Sequence, residues 1–432
     1  ARHRLGAQRA DARRKRRVVA EAEPPRRARR GGGAWHTRAM RLERIDIAPS
    51  PDRPGWTRLT GQVSYDSPQD GKDAEAYWYE FPDEFAGSLT TGGDPWLACL
   101  LPVAVEIGEP LVLSRPVDPQ MLDFAGDRMA IWHWWNPRHA PVRIEADVET
   151  GPRERGARTV SLFSGGVDSF YTALAPRALP IDDLLVIHGA FDLMHARREA
   201  FERVQAKLQA AADALGKVLI PSATNLLRTR LGTTDLAYMS QGSMMGSVPL
   251  ALERRYARIL IPSSIDLNWM DAWGTHPITD AMLSTTGTIV AEDGLAARRI
   301  EKTAFVARSD VALSALRVCL FTGNESNCMR CEKCLRAAIT LETLGVLERA
   351  AAFGTARLDL RRVARMPLGD PDVRHYYEEL IVFCRERGRD DLAEAVARSL
   401  ARARRHDPFR PLARRLRKLP VIMLTTTDDM RE

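Results

Sequence analysis

Along the middle of the chain, short apolar runs alternate with longer amphipathic stretches. Residues 159–163, 184–188, 217–221 and 258–262 are apolar runs bounded by polar, Gly or Pro residues, the pattern of buried strands. Between the second and third, Phe201, Val204, Leu208, Ala211 and Leu215 recur at helical spacing. They predict a helix from about 195 to 215, closed by Gly216. A further helix is predicted over 242–256. Such βα alternation predicts a parallel sheet covered by helices, an α/β fold.

The flanking regions have different patterns. Residues 40–155 alternate apolar and polar positions at 59–65 and 77–81, with a short helix around 121–130, and predict a separate N-terminal α+β domain. Seven of the nine Trp fall in the first 150 residues, with Trp132, Trp134 and Trp135 close together. Large aromatics either fill the core of a small domain or present a surface to a substrate. Beyond the middle region, Leu335, Ala338, Ile339 and Glu342 open a helix that Gly345 closes, and the pattern stays helical to about residue 405. The longest nearly unbroken apolar stretch, 95–107, is shorter than the ~18 to 20 residues of a spanning helix, so no membrane span is expected.

Charge is unevenly spread. The formal net charge is +7, yet residues 1–39 hold 13 Lys and Arg against 3 acidic residues, leaving 50 basic and 53 acidic residues elsewhere. That Arg-rich stretch, with no apolar h-region, reads as a basic disordered extension rather than a secretory signal, an upstream stretch translated from a start set too early. A second basic segment, 398–418, carries Arg398, Arg402, Arg404, Arg405, Arg410, Arg414, Arg415, Arg417 and Lys418 against Asp407, and reads as a solvated helix face. The slightly acidic remainder argues against a nucleic-acid partner.

Four of the six cysteines, Cys319, Cys328, Cys331 and Cys334, fall within sixteen residues. Two overlapping C-x2-C knuckles and a fourth thiolate suit a tetrahedral Zn²⁺ with a closed, structural shell. The C-x2-C-x2-C-x3-C iron–sulfur pattern requires a cysteine where Ala338 stands. A reducing, cytoplasmic setting follows from this distribution better than a disulfide framework does.

Phe163-Ser164-Gly165-Gly166-Val167-Asp168-Ser169 stands where a predicted strand gives way to a helix. Two glycines allow the backbone to turn tightly and approach a phosphate, while Ser164, Ser169 and the N–H groups of the helix start face the anion. No Lys follows the glycines and no G-x-G-x-x-G is present, which excludes the P-loop and the dinucleotide fingerprint.

S-G-G-x-D-S resembles the pyrophosphate loop of the N-type (PP-loop) ATP pyrophosphatases, and the cysteine spacing C-x8-C-x2-C-x2-C downstream is similar to that of their 7-cyano-7-deazaguanine synthases. The resemblance covers about 158–345. Phe191-Asp192 with His195 looks like a looser F-D-x-x-x-x-H, and Arg299-Ile300-Glu301-Lys302 stands at the family's Lys-containing helix start. It implies an adenine nucleotide alpha-hydrolase-like, Rossmann-like domain over 156–345, between the N-terminal domain at 40–155 and a helical region at 346–432. Phe163, Ser164, Gly165, Gly166, Asp168, Ser169, Asp192 and His195 would bind ATP, and Asp168 would hold Mg²⁺ or orient the loop. Arg299 and Lys302 would neutralise charge at the α-phosphate, and His276 and Asp280 would bind substrate or move a proton. The implied reaction adenylates a carboxylate, releasing pyrophosphate, then uses ammonia to form an amide and, after a second round, a nitrile; a homodimer is the expected assembly.

The family's V-P-G-R-N and Y-P-D-C-R strings are absent; Gly246-Ser247-Val248-Pro249-Leu250 and Trp273-Gly274-Thr275-His276-Pro277 stand in those regions. The expected acceptor is therefore a different or larger carboxylate, on a small molecule, a peptide or a protein. The alternatives are a tRNA-modifying adenylyltransferase or thiolase of the same superfamily and a nucleotide-binding protein without turnover.

Overall fold

The structure is a computed structural model that describes residues 16–19, 38–69, 71–151, 153, 155–190, 197–319, 326–368 and 373–405. The chain divides into two compact units, Ala1–Cys328 with Arg349–Gly354, and Met329–Glu348 with Thr355–Glu432.

The first unit is organised by one eleven-stranded sheet in the order β1-β6-β5-β2-β3-β4-β9-β8-β7-β10-β11. Its strands are β1 (Arg16–Val19), β2 (Met40–Pro49), β3 (Trp56–Gln69), β4 (Lys72–Pro82), β5 (Leu111–Leu113) and β6 (Ile144–Asp147), then β7 (Arg158–Leu162), β8 (Asp183–His188), β9 (Val218–Thr224), β10 (Tyr256–Pro262) and β11 (Ile289–Asp293). Its helices are α1 (Asp94–Ile107), α2 (Pro119–Trp135), α3 (Val167–Leu174), α4 (Arg198–Ala214), α5 (Gln241–Leu250), α6 (Pro277–Ala281), α7 (Arg299–Val306) and α8 (Asp310–Ala315).

The five strands from β7 onward are parallel to one another and, counted from β7, lie in the order third, second, first, fourth, fifth. This is a doubly wound arrangement, whose strand order reverses between β7 and β10; ligands of such sheets bind outside the carboxyl ends of the strands at that reversal. The predicted strands and the 195–215 helix correspond to β7 to β10 and α4. The 242–256 helix stops earlier, at Leu250: its last turn tightens, the Ala251 N–H shared between the Ser247 and Val248 carbonyls and the Leu252 N–H reaching the Pro249 carbonyl, before the chain turns into β10.

The N-terminal region shares this sheet instead of standing apart. β2, β3 and β4 form an antiparallel meander, and β4 joins β9 through Tyr79 opposite Thr224 and Glu80 opposite Ala223. Side chains extend the join: Asn225 Oδ1 accepts from Trp78 N at 2.9 Å, and Thr224 Oγ1 donates to the Trp78 carbonyl at 2.7 Å. The division expected near residue 155 therefore falls inside one compact unit. Within the stretch read as a disordered extension, Arg16–Val19 pairs antiparallel with β6, its backbone completing a sheet edge.

α1 escaped the periodicity argument because it is buried on every side from Asp94 to Val105, which leaves no polar face to set a period. Gly108, at φ 70°, closes it. Trp96 of this helix is fully buried against β3, where a Cβ on Gly61 would come within 2.6 Å of its ring.

The second unit contains α9 (Glu332–Thr343), α10 (Leu360–Ala364), α11 (His375–Glu386) and α12 (Asp390–Arg405), as the helical pattern predicts. Leu392, Val396 and Leu400 are buried on one face of α12. The basic residues 410–418 lie outside the described residues.

Candidate functional site

The glycine loop leaves the carboxyl end of β7 at the reversal of strand order. Gly165 has φ 77°, a conformation in which a side chain is strained, and a Cβ there would come 2.7 Å from Leu208 Cδ2. Gly166 precedes α3, its N–H 3.4 Å from Ser164 Oγ, and Ser169 Oγ donates to the Gly166 carbonyl at 3.0 Å. The Arg317 N–H donates to the Gly165 carbonyl at 2.8 Å and braces the loop from the far side. Phe163 is a core residue: it is 1% exposed and meets Phe170 edge-on at 4.9 Å.

Two cations separated from the loop by more than a hundred residues converge on Asp168. Arg299 Nη1 lies 2.6 Å from Asp168 Oδ2, and its Nη2 donates to the Ser264 carbonyl at 3.2 Å. Lys302 Nζ lies 3.6 Å from Asp168 Oδ1 and donates to the Ser263 carbonyl at 2.8 Å. Both belong to α7, which packs against α3. The geometry follows from the turns at the ends of β10 and β11, where Ser263 and Ser264 present carbonyls and Gly294 turns at φ 88° beside the Lys302 stem. Lys302 is 1% exposed, and burial lowers its pKa while Asp168 acts to raise it.

The loop thus carries one carboxylate held by two cations at the amino end of a helix. That arrangement suits a polyanion, which takes the cations while the helix end and loop N–H groups bind its oxygens. Sequence reasoning identified Asp168, Arg299 and Lys302, and the structure brings them together. It missed Tyr171, whose ring centre lies 5.9 Å from Lys302 Nζ, and the carbonyls of Ser263 and Ser264, which carry no residue-type signal.

His276 caps α6: its Nδ1 accepts from the Ile278 N–H at 3.2 Å, and its ring meets Trp135 edge-on at 5.1 Å. Burial lowers its pKa and favours the neutral imidazole. Asp280 is 1% exposed and lies against α5 at Gly242. Asp192 and His195 lie outside the described residues.

The four cysteine Sγ atoms of Cys319, Cys328, Cys331 and Cys334 all lie within 4.8 Å of one another, placed to bind a metal ion. A tetrahedral site with bonds of about 2.3 Å has sulfur–sulfur edges of roughly 3.8 Å, so the spacing and the all-sulfur donor set fit zinc. The knuckle turns at Met329, whose φ of 54° is the one positive value outside glycine among the described residues. Cys331 caps α9, and its Sγ accepts from the Cys334 N–H at 3.5 Å.

Compared with protein-family models, with curated proteins and with solved structures, the chain matches none.

Proposed function

We propose that this protein is an ATP-dependent ligase of the PP-loop pyrophosphatase type. It cleaves ATP to AMP and pyrophosphate, adenylates a carboxylate and passes the acyl group to ammonia. The observation that carries the reading is the convergence of Arg299 and Lys302 on Asp168, over a glycine loop, at the reversal of strand order.

In this reading Ser164, Gly165, Gly166 and Ser169 hold the β- and γ-phosphates as the leaving group. Arg299 and Lys302 exchange Asp168 for phosphate oxygens and neutralise charge as the acceptor oxygen attacks the α-phosphorus in line. Asp168 Oδ1 is buried and accepts no hydrogen bond among the described residues. It is the atom that would hold Mg²⁺ beside phosphate oxygens, the usual mode for that ion. The four thiolates would hold zinc, which supplies structural closure at the start of α9. The acceptor is a carboxylate on a small molecule, peptide or protein, and repeating the cycle on the amide oxygen yields a nitrile.

Calorimetric titration with MgATP tests the nucleotide assignment. Wild-type protein is expected to bind, and Lys302→Met to bind at least tenfold more weakly with an unchanged unfolding midpoint; equal affinities of the two would remove Lys302 from the site.

A further inference from the structure

Between the cysteine cluster and the glycine loop runs a short, buried chain of hydrogen bonds. Leu316, Arg317, Val318 and Cys319 follow one another after α8, and Asn327 and Cys328 return beside them. Asn327 spans Arg317 with its side-chain amide: Oδ1 accepts from the Val318 N–H at 2.8 Å, and Nδ2 donates to the Leu316 carbonyl at 2.9 Å. Asn327 is in turn held by Ala352, whose carbonyl accepts from its backbone N–H at 3.1 Å and from Nδ2 at 3.3 Å. Asn327, Arg317 and Cys319 are buried, so breaking one of these bonds leaves a polar group unsatisfied away from water. All of these residues belong to the first unit.

One end of this chain of bonds rests on the peptide that aims the loop. The Arg317 N–H holds the Gly165 carbonyl at 2.8 Å. In a planar trans peptide the carbonyl and the N–H that follows it point in opposite directions, so Arg317 sets the aim of the Gly166 N–H. That N–H faces the Ser164 side of the loop, 3.4 Å from Oγ, where the proposed phosphate oxygens lie. Gly165, at φ 77°, is the residue least able to hold this peptide by its own conformational preference. At the other end, Val318 adjoins Cys319 and Asn327 adjoins Cys328, two of the four metal-binding positions. A metal that joins these two thiolates brings their sulfurs to roughly 3.8 Å and fixes the spacing across which Asn327 reaches.

We infer that Asn327 is a positioning residue for the glycine loop, and that metal on the cysteine cluster, acting through it, sets the affinity of the loop for a polyphosphate. The inference rests on the loop as a phosphate cradle and not on the ligase chemistry. Without metal, the two ends of 319–328 are no longer joined at Cys319 and Cys328, and Asn327 loses the anchor beside it. The Gly165–Gly166 peptide then has to be ordered when the anion binds, which costs affinity. Coupling of this kind is reciprocal: a polyphosphate that orders the peptide tightens the hold on the metal by the same factor.

The test uses the full chain, loaded with zinc and then stripped by a chelator, with thermal unfolding reporting whether each form is folded. MgATP affinity by calorimetry is expected to fall about tenfold on stripping, and backbone hydrogen exchange, read without nucleotide, to quicken over 164–169 and 315–318. Asn327→Ala keeps all four cysteines and is expected to retain ~1 zinc ion per chain, with a similar loss of MgATP affinity. In the wild type, MgATP is expected to slow zinc release to a coloured chelator about tenfold. In Asn327→Ala it is expected not to slow it, a difference that a merely structural asparagine does not produce. Equal MgATP affinity with and without zinc, or zinc release from the wild type unchanged by bound MgATP, overturns the link. Wild-type affinity in a folded, zinc-loaded Asn327→Ala protein also overturns it, and this arm stands even where stripping unfolds the chain. A zinc-loaded wild type that binds no MgATP removes the nucleotide reading instead. The exchange comparison of zinc-loaded wild type with Asn327→Ala then decides the link: faster exchange over 164–169 in the variant sustains it, and unchanged exchange overturns it.

Discussion

Gly165 shows how much of the site depends on single residues. Its positive φ and the 2.7 Å approach of a Cβ to Leu208 leave no room for alanine. Gly165→Ala is expected to cost about 1–3 kcal/mol, measured by denaturant unfolding, and to weaken MgATP binding beyond that loss by re-aiming the loop N–H groups. Arg299→Ala removes one of the two cations on Asp168 and is expected to lower the rate of AMP formation about a hundredfold, read under saturating nucleotide. A loss only in affinity would assign it to ground-state binding instead. The loop residues were legible in the sequence because glycine and serine at that spacing have few other uses. Asn327 was not legible, since a single amide carries no pattern until the fold sets it across Arg317. Phe163, expected beside the ligand, proved to be core because the strand's alternation still governs it.

Elements were legible wherever one face meets solvent. α4 announced itself by its period, and α12 falls within the stretch whose pattern stays helical to about residue 405, its buried face being Leu392, Val396 and Leu400. α1 did not, for want of any polar face. Its packing gives a prediction: Gly61→Val drives a side chain into the Trp96 ring and is expected to destabilise the protein by about 1–3 kcal/mol, read as a lower unfolding midpoint. The cysteine cluster was fully legible, since its spacing along the chain is itself the signature of the site. Purified protein is expected to carry ~1 zinc ion per chain by elemental mass spectrometry. Cys331→Ser is expected to lose that metal, together with helical signal from α9, whose cap it forms. Full metal content in Cys331→Ser would remove this residue from the donor set.

At the scale of the molecule, the sheet that runs from β1 to β11 was not foreseeable. The β4–β9 join is made by backbone groups and by Asn225 and Thr224, which no local pattern marks. The same unit is tied together by Arg153, 2.9 Å from Glu253 and 2.7 Å from Glu149, and also paired with Asp94. Burial, with Asp94 nearby, pushes the Glu253 carboxyl up from 4.5 to about 8. The folded state therefore holds a proton that the unfolded chain releases between these values. Stability from this group is complete below pH ~4.5 and is lost as pH rises toward 8. Glu253→Gln is expected to flatten the fall of the unfolding midpoint across that window; an unchanged slope would place the proton elsewhere.

The central claim is that this sheet carries a site which cleaves ATP at the α-phosphorus. Chromatography of the nucleotides formed from MgATP with ammonium and a deproteinised cell extract tests it most directly, with a parallel arm supplying cell protein as acceptor. The account predicts AMP and pyrophosphate in equal amounts, absent with Lys302→Met. ADP as the product, or ATP left intact in both arms, would contradict it.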